Sequence, residues 1–337
     1  MMGRGNMRVH QSAVLVLLGL VAACGNGDNS SPSPSPTPSS TTTPTPTPSS
    51  SISVPPGCPG IPADKGQPFD QIVTGIGAAY PSGDRLVVYN PTEVSALYYN
   101  ASNDAYVFIE PDPLYFTSAD YSGSSILTPS DIDAANSNDT VQYRKNSCSP
   151  SSNYQHSLEI YKQNSSGSTI HLTYSSIGTY LFFNNSGLTT SSGNAFHFAI
   201  GSPTPQGSIP SSGLGSFSGT LIGRGYTRSN ISSVTYDLSG TVTTQVDYDA
   251  KTFKTQLHIT GVDTSNKSID LGTFSFDNVG DPGLSRLKAD GNGGSVLGFL
   301  SGPAAQELVF SFTIKSQITV DGVPVDIQMA GSAAETK

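Results

Sequence analysis

Tryptophan is absent from this chain of 337 residues, and only 12% of its residues are charged. So few charges leave little material for the salt-bridged surface helices of a cytosolic enzyme. Ser, Thr, Asn and Gly fill the polar positions instead, a composition common in exported β-proteins. Lys and Arg number 16 against 25 acids, and no long basic cluster occurs. Such a chain is a poor nucleic-acid binder and grips anionic lipid weakly by charge. Cysteine is scarce, at three residues, and neither Cys58 nor Cys148 has a second Cys or His at zinc-ligand spacing. The apolar run at residues 13–20 (AVLVLLGL) is far shorter than the roughly 20 residues needed to span a bilayer as a helix.

That run has a specific setting. Arg4 and Arg8 precede it, and the small residues Ala22 and Ala23 follow, immediately before Cys24. Basic region, apolar region and small-residue site, in that order, form an export signal. Val21-Ala22-Ala23-Cys24 resembles the lipobox of bacterial lipoproteins. The resemblance implies cleavage after residue 23, with Cys24 acylated as the mature amino terminus. Gly25, in place of the Asp that retains lipoproteins at the inner membrane, favours the outer membrane. Several acyl chains anchor firmly, since each buried methylene contributes about 0.8 kcal/mol. Membrane lipid is thus the first expected partner. Removing residues 1–23 takes two arginines and no acid, so the mature chain is two units more acidic than the −9 of the full sequence.

Residues 24–56 are dominated by Ser, Pro and Thr. They lack the apolar surface to offset backbone ordering, so they are expected to form an extended, disordered tether. With Cys24 lipidated, Cys58 and Cys148 remain as a pair in an oxidising compartment. A bridge between them would close a loop on the order of 90 residues, worth about 4–5 kcal/mol in the chain-entropy account. Two buried thiols are the alternative reading.

Beyond residue 57 the sequence alternates in the manner of strands. In residues 252–261 (TFKTQLHITG), Phe253, Thr255, Leu257 and Ile259 fall on one side and Lys254, Gln256 and His258 on the other. Residues 307–316 (ELVFSFTIKS) repeat the pattern, and further strands are read at 216–226, 234–248, 270–277 and 296–300. Asp249-Ala250-Lys251 suits a hairpin, and residues 290–294 (DGNGG) tolerate positive φ. Residues 57–205 are strand-rich but less regular, with strands read at 85–90, 105–110, 140–144, 157–162, 169–174 and 178–183. Thr128-Pro129-Ser130-Asp131 reads as the start of a short helix. Pro203 and Pro205, flanked by Gly201 and Gly207, mark the expected boundary between residues 57–205 and residues 206–337.

Residues 299–308 (FLSGPAAQEL) resemble the segment of transferrin-binding protein B and its relatives in which Gly-Pro and a nearby Ala-x-Glu precede a barrel strand. Residues 201–205 and 216–220 (SFSGT), together with Val246-Asp247-Tyr248 and residues 251–261, are similar to other parts of that barrel. Ser301 stands where the family often carries an aromatic residue, and Val309-Phe310 where it often carries glycines. The resemblance implies an all-β protein: a carboxy-terminal eight-stranded antiparallel barrel preceded by a β-rich handle-like domain. Residues 322–328 and 195–200 are the candidates for the two barrel strands left after six clear ones. It further implies a surface-exposed outer-membrane lipoprotein without catalytic activity or cofactor, which binds a protein or solute. Transfer of that ligand to a TonB-dependent outer-membrane receptor is one role it suggests. A structural or adhesive surface protein is the alternative.

No catalytic constellation competes with that reading. Residues 215–219 (GSFSG) place Phe217 where a nucleophile elbow needs serine. Ser285 and Lys288 have the spacing of some acyl-enzymes but lack the companion motifs. Asp247 and Asp249 could hold calcium at a strand end, although a solvated hairpin corner explains them better. His156, His171, His197 and His258 are scattered without metal spacing, and haem-binding relatives of the barrel are the only reason to single them out. Loop tyrosines such as Tyr115 and Tyr121 could supply contact surface. Asn100 and Asn230 head Asn-x-Ser motifs that carry little meaning in a bacterial lipoprotein.

Overall fold

In the computed structural model, the described residues are 67–78, 86–93, 97–109, 124–133, 140–146, 154–162, 170–184, 193–228, 233–279, 284–291, 293–320 and 322–337. Cys24, Cys58, Cys148, Tyr115, Tyr121 and Asn230 lie outside them, as do the signal and tether segments. Among the described residues no helix is long and apolar enough to cross a membrane.

Among the same residues eighteen strands make three antiparallel sheets, all within one compact unit. The strands of the first two sheets are β1 (Gln67–Pro68), β2 (Asp70–Ala78), β3 (Leu86–Thr92), β4 (Leu97–Asn100), β5 (Ala105–Ile109), β6 (Ser124–Leu127), β7 (Thr140–Asn146), β8 (Tyr154–Tyr161), β9 (Ser175–Asn184) and β10 (Gly193–Gly201). A four-stranded sheet runs β1-β4-β5-β6, and a six-stranded sheet runs β3-β2-β10-β9-β8-β7. The third sheet has eight strands: β11 (Leu214–Arg228), β12 (Ser233–Asp247), β13 (Thr252–Asp263), β14 (Ser268–Val279), β15 (Leu287–Gly291), β16 (Gly294–Ser301), β17 (Glu307–Val320) and β18 (Val323–Thr336). Their order is β14-β13-β12-β11-β18-β17-β16-β15. The meander therefore brings its last strand back to its first, and the sheet curls into a half-barrel. Among the described residues no ladder joins β14 to the five-residue β15, although the two strands lie against each other.

Period-two patterning accounts for the curl. Along β13, Phe253, Thr255, Leu257 and Ile259 are buried and Lys254, Gln256 and His258 exposed. Phe217, Leu221, Leu238, Val242, Val246, Phe276, Phe310, Phe312 and Met329 join them in one apolar cluster that fills the lumen. Glycine is required where strands press together: a Cβ at Gly219 would overlap the carbonyl oxygen of Ala334 on neighbouring β18.

The six-stranded sheet is covered on both faces, which is why β10 reads AFHFAI without polar–apolar alternation. Phe196, Phe198 and Ile200 pack with Leu97, Phe108 and Leu127 of the four-stranded sheet. On the opposite face Ile72, Ile177 and Ala199 pack with Phe299, Val309 and Ala334 on the outside of the half-barrel. Most of β16, the first part of β17 and the later part of β18 are thus buried on both sides.

Several expectations change. Residues 195–200 do not complete the half-barrel; they lie in β10, paired to β2 and β9. The eighth place is taken by β15, hidden in the sequence because it is short and runs into the Gly-rich turn. Of residues 322–328, all but Gly322 lie in the first half of the longer β18. Residues 170–174 form no strand, because a buried carboxyl group takes backbone donors there that a ladder would use. The short helix is a single 3-10 turn, Pro129–Asp131, in which the Asp131 carboxyl accepts from the Thr128 N–H at 2.8 Å.

Candidate functional site

Three places combine polar chemistry with defined geometry. The first is the junction between the six-stranded sheet and the half-barrel, built by the Gly-Pro segment that carries the family resemblance. Gly302 has a φ of +86°, and a Cβ there would meet the Tyr174 ring. The turn aims Glu307 inward, where it is 3% exposed. One of its carboxyl oxygens accepts the Thr173 N–H, and the other accepts the Tyr174 N–H at 3.1 Å and the Ser175 hydroxyl at 2.6 Å. Residues 170–174 therefore spend backbone donors on a carboxyl group instead of a neighbouring strand. Ser301 donates to the Ser202 carbonyl at 2.8 Å, and Thr204 donates to the Gly302 carbonyl at 2.7 Å. Nearby, Arg286 pairs with Glu93 at 2.6 Å while lying over the Phe299 ring. The junction is a fastening between sheets.

The second place is one end of the lumen. Ile327, Met329 and Ala333 point inward along β18, and Glu335 follows in the same register. Its carboxyl accepts the Thr244 hydroxyl at 2.6 Å, Thr244 is 2.8 Å from the Thr255 hydroxyl, and the second carboxyl oxygen has no partner among the described residues. Burial pushes the Glu335 pKa up to about 8, the Thr244 hydrogen bond only partly opposing it. Above it, the Lys337 ammonium lies 5.5 Å from the Phe217 ring centroid and 5.7 Å from that of Tyr248, and donates to the Ala304 carbonyl. Burial lowers the Lys337 pKa and raises that of Tyr248. These side chains sit at one end of the lumen, whose interior carries the apolar cluster.

The third place is open. On the outer wall made by β11, β12 and β13, Ser216, Ser218, Thr243, Gln245, Lys254 and Gln256 rim a depression of about 430 Å³. All six are exposed. Among the described residues the six-stranded sheet packs against the outside of β16, β17 and β18 and leaves these six side chains uncovered.

The histidines, the Asp247/Asp249 pair and the Ser285/Lys288 pair singled out in the sequence do not converge on any of these places. His171 is exposed; His156 bonds to the Tyr180 hydroxyl; His197 is fully buried against Thr179. Burial, with help from Lys145 for His156 and Arg224 for His197, lowers their pKa values to about 4 and about 3, so both are neutral imidazoles at physiological pH. His258 is exposed beside Thr273. Among the described residues no group of three His, Cys, Asp or Glu is arranged to hold a metal ion. Asp247 and Asp249 accept the backbone N–H groups of Ala250 and Gly213, which makes them turn caps. Phe217 belongs to the lumen core, and Leu287, between Ser285 and Lys288, is buried.

Glu335 and the outer depression escaped the sequence reading. Period-two counting forward from Ile327 and Met329 would have placed Glu335 inward. The depression has no motif, because its residues come from three strands and meet only through the register.

No family model matches this chain, and no curated protein matches it. Among solved structures it is similar to a mutant of the vaccine antigen transferrin binding protein B from Haemophilus parasuis Hp5, at 14% identity and a TM-score of 0.39 over 79% of this chain and 45% of that one. Intact Ap-TbpB, with its N and C lobes, gives 14% identity and a TM-score of 0.39 over 79% and 46%. A DUF3598-family protein from Nostoc punctiforme PCC 73102 gives 12% and 0.20 over 78% and 94%. This chain thus spans less than half the length of the two transferrin-binding proteins.

Proposed function

We propose that this protein is an outer-membrane lipoprotein, held by acylated Cys24 and displayed at the cell surface, that binds a protein or solute on the outside of its half-barrel. The observation that carries the reading is the division of the barrel wall. The lumen carries the apolar cluster, part of the wall is locked to a second sheet through Glu307, and among the described residues another part is bare and contains the depression at Ser216–Ser218, Thr243–Gln245 and Lys254–Gln256. Small barrels pack their interiors with side chains, so ligands meet the surface. A rigid body on a long Ser/Pro/Thr tether suits capture at a distance from the lipid headgroups. Handing the ligand to a TonB-dependent receptor fits the same arrangement, and adhesion is the alternative in which no hand-over occurs.

The test uses the full-length protein in detergent, incubated with growth medium and envelope extract beside the double variant Thr243→Lys/Gln256→Lys. A component retained by the wild type and lost by the variant supports the reading. Equal retention by both proteins removes this surface from consideration.

A further inference from the structure

The strand register lays the bare wall out as a lattice. Ser216, Gln245, Lys254 and Asp277 form one cross-strand row; Ser218, Thr243, Gln256 and Ser275 the next; Thr220, Thr241, His258 and Thr273 the third. Neighbours within a row are separated by about 4.8 Å, and rows by roughly 6.7 Å. Seven of the twelve positions carry hydroxyls, two carry amides, His258 carries the one imidazole, and none carries a branched aliphatic, Phe or Tyr side chain. Lys254 and Asp277, of opposite sign, share one row. Two internal bonds stiffen the far side, Gln256 to Ser275 at 3.3 Å and His258 to Thr273 at 3.2 Å. The depression sits over the first two rows, and its volume of about 430 Å³ falls within the ~300–1,000 Å³ typical of small-ligand sites.

That chemistry sorts ligands. A lipid or an apolar peptide finds no apolar side chain within these three rows, the exposed Leu214 lying in the next row along. A protein partner finds none of the Trp, Tyr or Arg anchors that dominate protein–protein affinity. A polyanion meets a single ammonium on a chain of net charge −9. What remains is an uncharged ligand dense in hydroxyl and amide groups, able to exchange hydrogen bonds with many short polar side chains at once. We propose that rows one and two bind a neutral oligosaccharide. The assignment rests on the binding role proposed above and gives it a ligand class. Each hydrogen bond exchanged with water contributes only about 0.5–1.5 kcal/mol, and there is no aromatic platform for a sugar ring, so a single site binds in the millimolar range. Many tethered copies on one membrane would raise the avidity for a polymeric glycan.

The experiment is saturation-transfer difference NMR on full-length protein in detergent, with maltotetraose and chitotetraose as the two probes and tetragalacturonate as an anionic comparison. Saturable transfer to at least one neutral tetrasaccharide is expected. The near-isosteric double variant Thr243→Val/Gln256→Leu should weaken it at least about tenfold, a loss of about 1.4 kcal/mol or more. Gln317→Ala, outside the lattice, should leave it unchanged, and circular dichroism confirms that each variant is folded. Absence of saturable transfer to either neutral sugar overturns the assignment, as does equal transfer in the double variant. Transfer confined to tetragalacturonate and abolished by Lys254→Gln also overturns it. An envelope component held by the lattice and not displaced by either sugar would leave the binding role standing and remove the saccharide.

Discussion

At the residue scale, the two buried glutamates do different work. Glu335 has one hydroxyl partner and an unpartnered oxygen in an apolar lumen, and its pKa rises from the ordinary 4.5 to about 8. The folded state therefore holds this proton where the unfolded state releases it. Its contribution to stability is fully present below the unfolded value and is lost as pH rises from about 4.5 through about 8. Glu335→Gln keeps the acceptor for Thr244 and abolishes the titration. Urea midpoints measured from pH 5 to pH 9 should fall with pH in the wild type and fall less in the variant, which becomes the more stable protein at pH 8. Parallel curves would place this carboxyl in contact with water. Glu307 serves the junction, where several backbone and hydroxyl donors meet its two oxygens. Glu307→Ala orphans the buried Ser175 hydroxyl and two part-buried N–H groups and should cost about 2–4 kcal/mol, read as a lower urea midpoint at unchanged m-value. A loss under about 0.5 kcal/mol would mean that the donors find other partners.

Strands β11 to β14 of the half-barrel were legible because each has one wet and one dry face. β13 keeps the alternation throughout, and the inward set expected from the sequence is the buried set in the structure. Legibility fails where that contrast disappears. β10 and the first part of β17 are buried on both faces, so their sequences carry no sidedness that would assign them to a particular sheet. Residues 195–200 could therefore be placed in the barrel when they belong to the neighbouring sheet. β15 fails for a different reason, since five residues ending in glycine resemble the turn they enter. Residues 170–174 look extended in composition, but donors there are claimed by Glu307, more than 130 residues away in sequence. Local propensity cannot register a partner so remote. The lumen itself can be probed at Phe312, fully buried in its centre. Phe312→Ala should lower stability by about 3–5 kcal/mol, read from urea unfolding. A cost below about 1 kcal/mol would show that the half-barrel collapses around the gap, and that its packing is looser than its burial indicates.

For the whole molecule, the export signal, tether and cysteine pair remain statements about sequence, and each has a direct measurement. Cys24→Ser should abolish palmitate incorporation and leave uncleaved precursor; lipid labelling of that variant would end the anchor reading. The boundary expected near residue 205 is the harder question. Residues 206–337 own a complete lumen core, which argues that they fold alone. The same residues present Phe299, Val309 and Ala334 outward to the six-stranded sheet, along with Glu307 and its remote donors. A fragment of residues 206–337 should accordingly show β-type circular dichroism and a cooperative transition, at a lower midpoint than the intact chain. It should also self-associate through the exposed apolar strip, visible by sedimentation. Reduction separates the two halves further, because this fragment contains no cysteine while a Cys58–Cys148 bridge would brace only the preceding sheets. A reducing agent should lower the midpoint of the intact chain and leave the fragment unchanged. If the fragment were monomeric with the midpoint of the full protein, the inter-sheet core would contribute nothing, and the handle would be a passenger on an independent half-barrel. If it showed no cooperative transition, the six-stranded sheet would be a third wall of the same core, and no boundary could be drawn at 205.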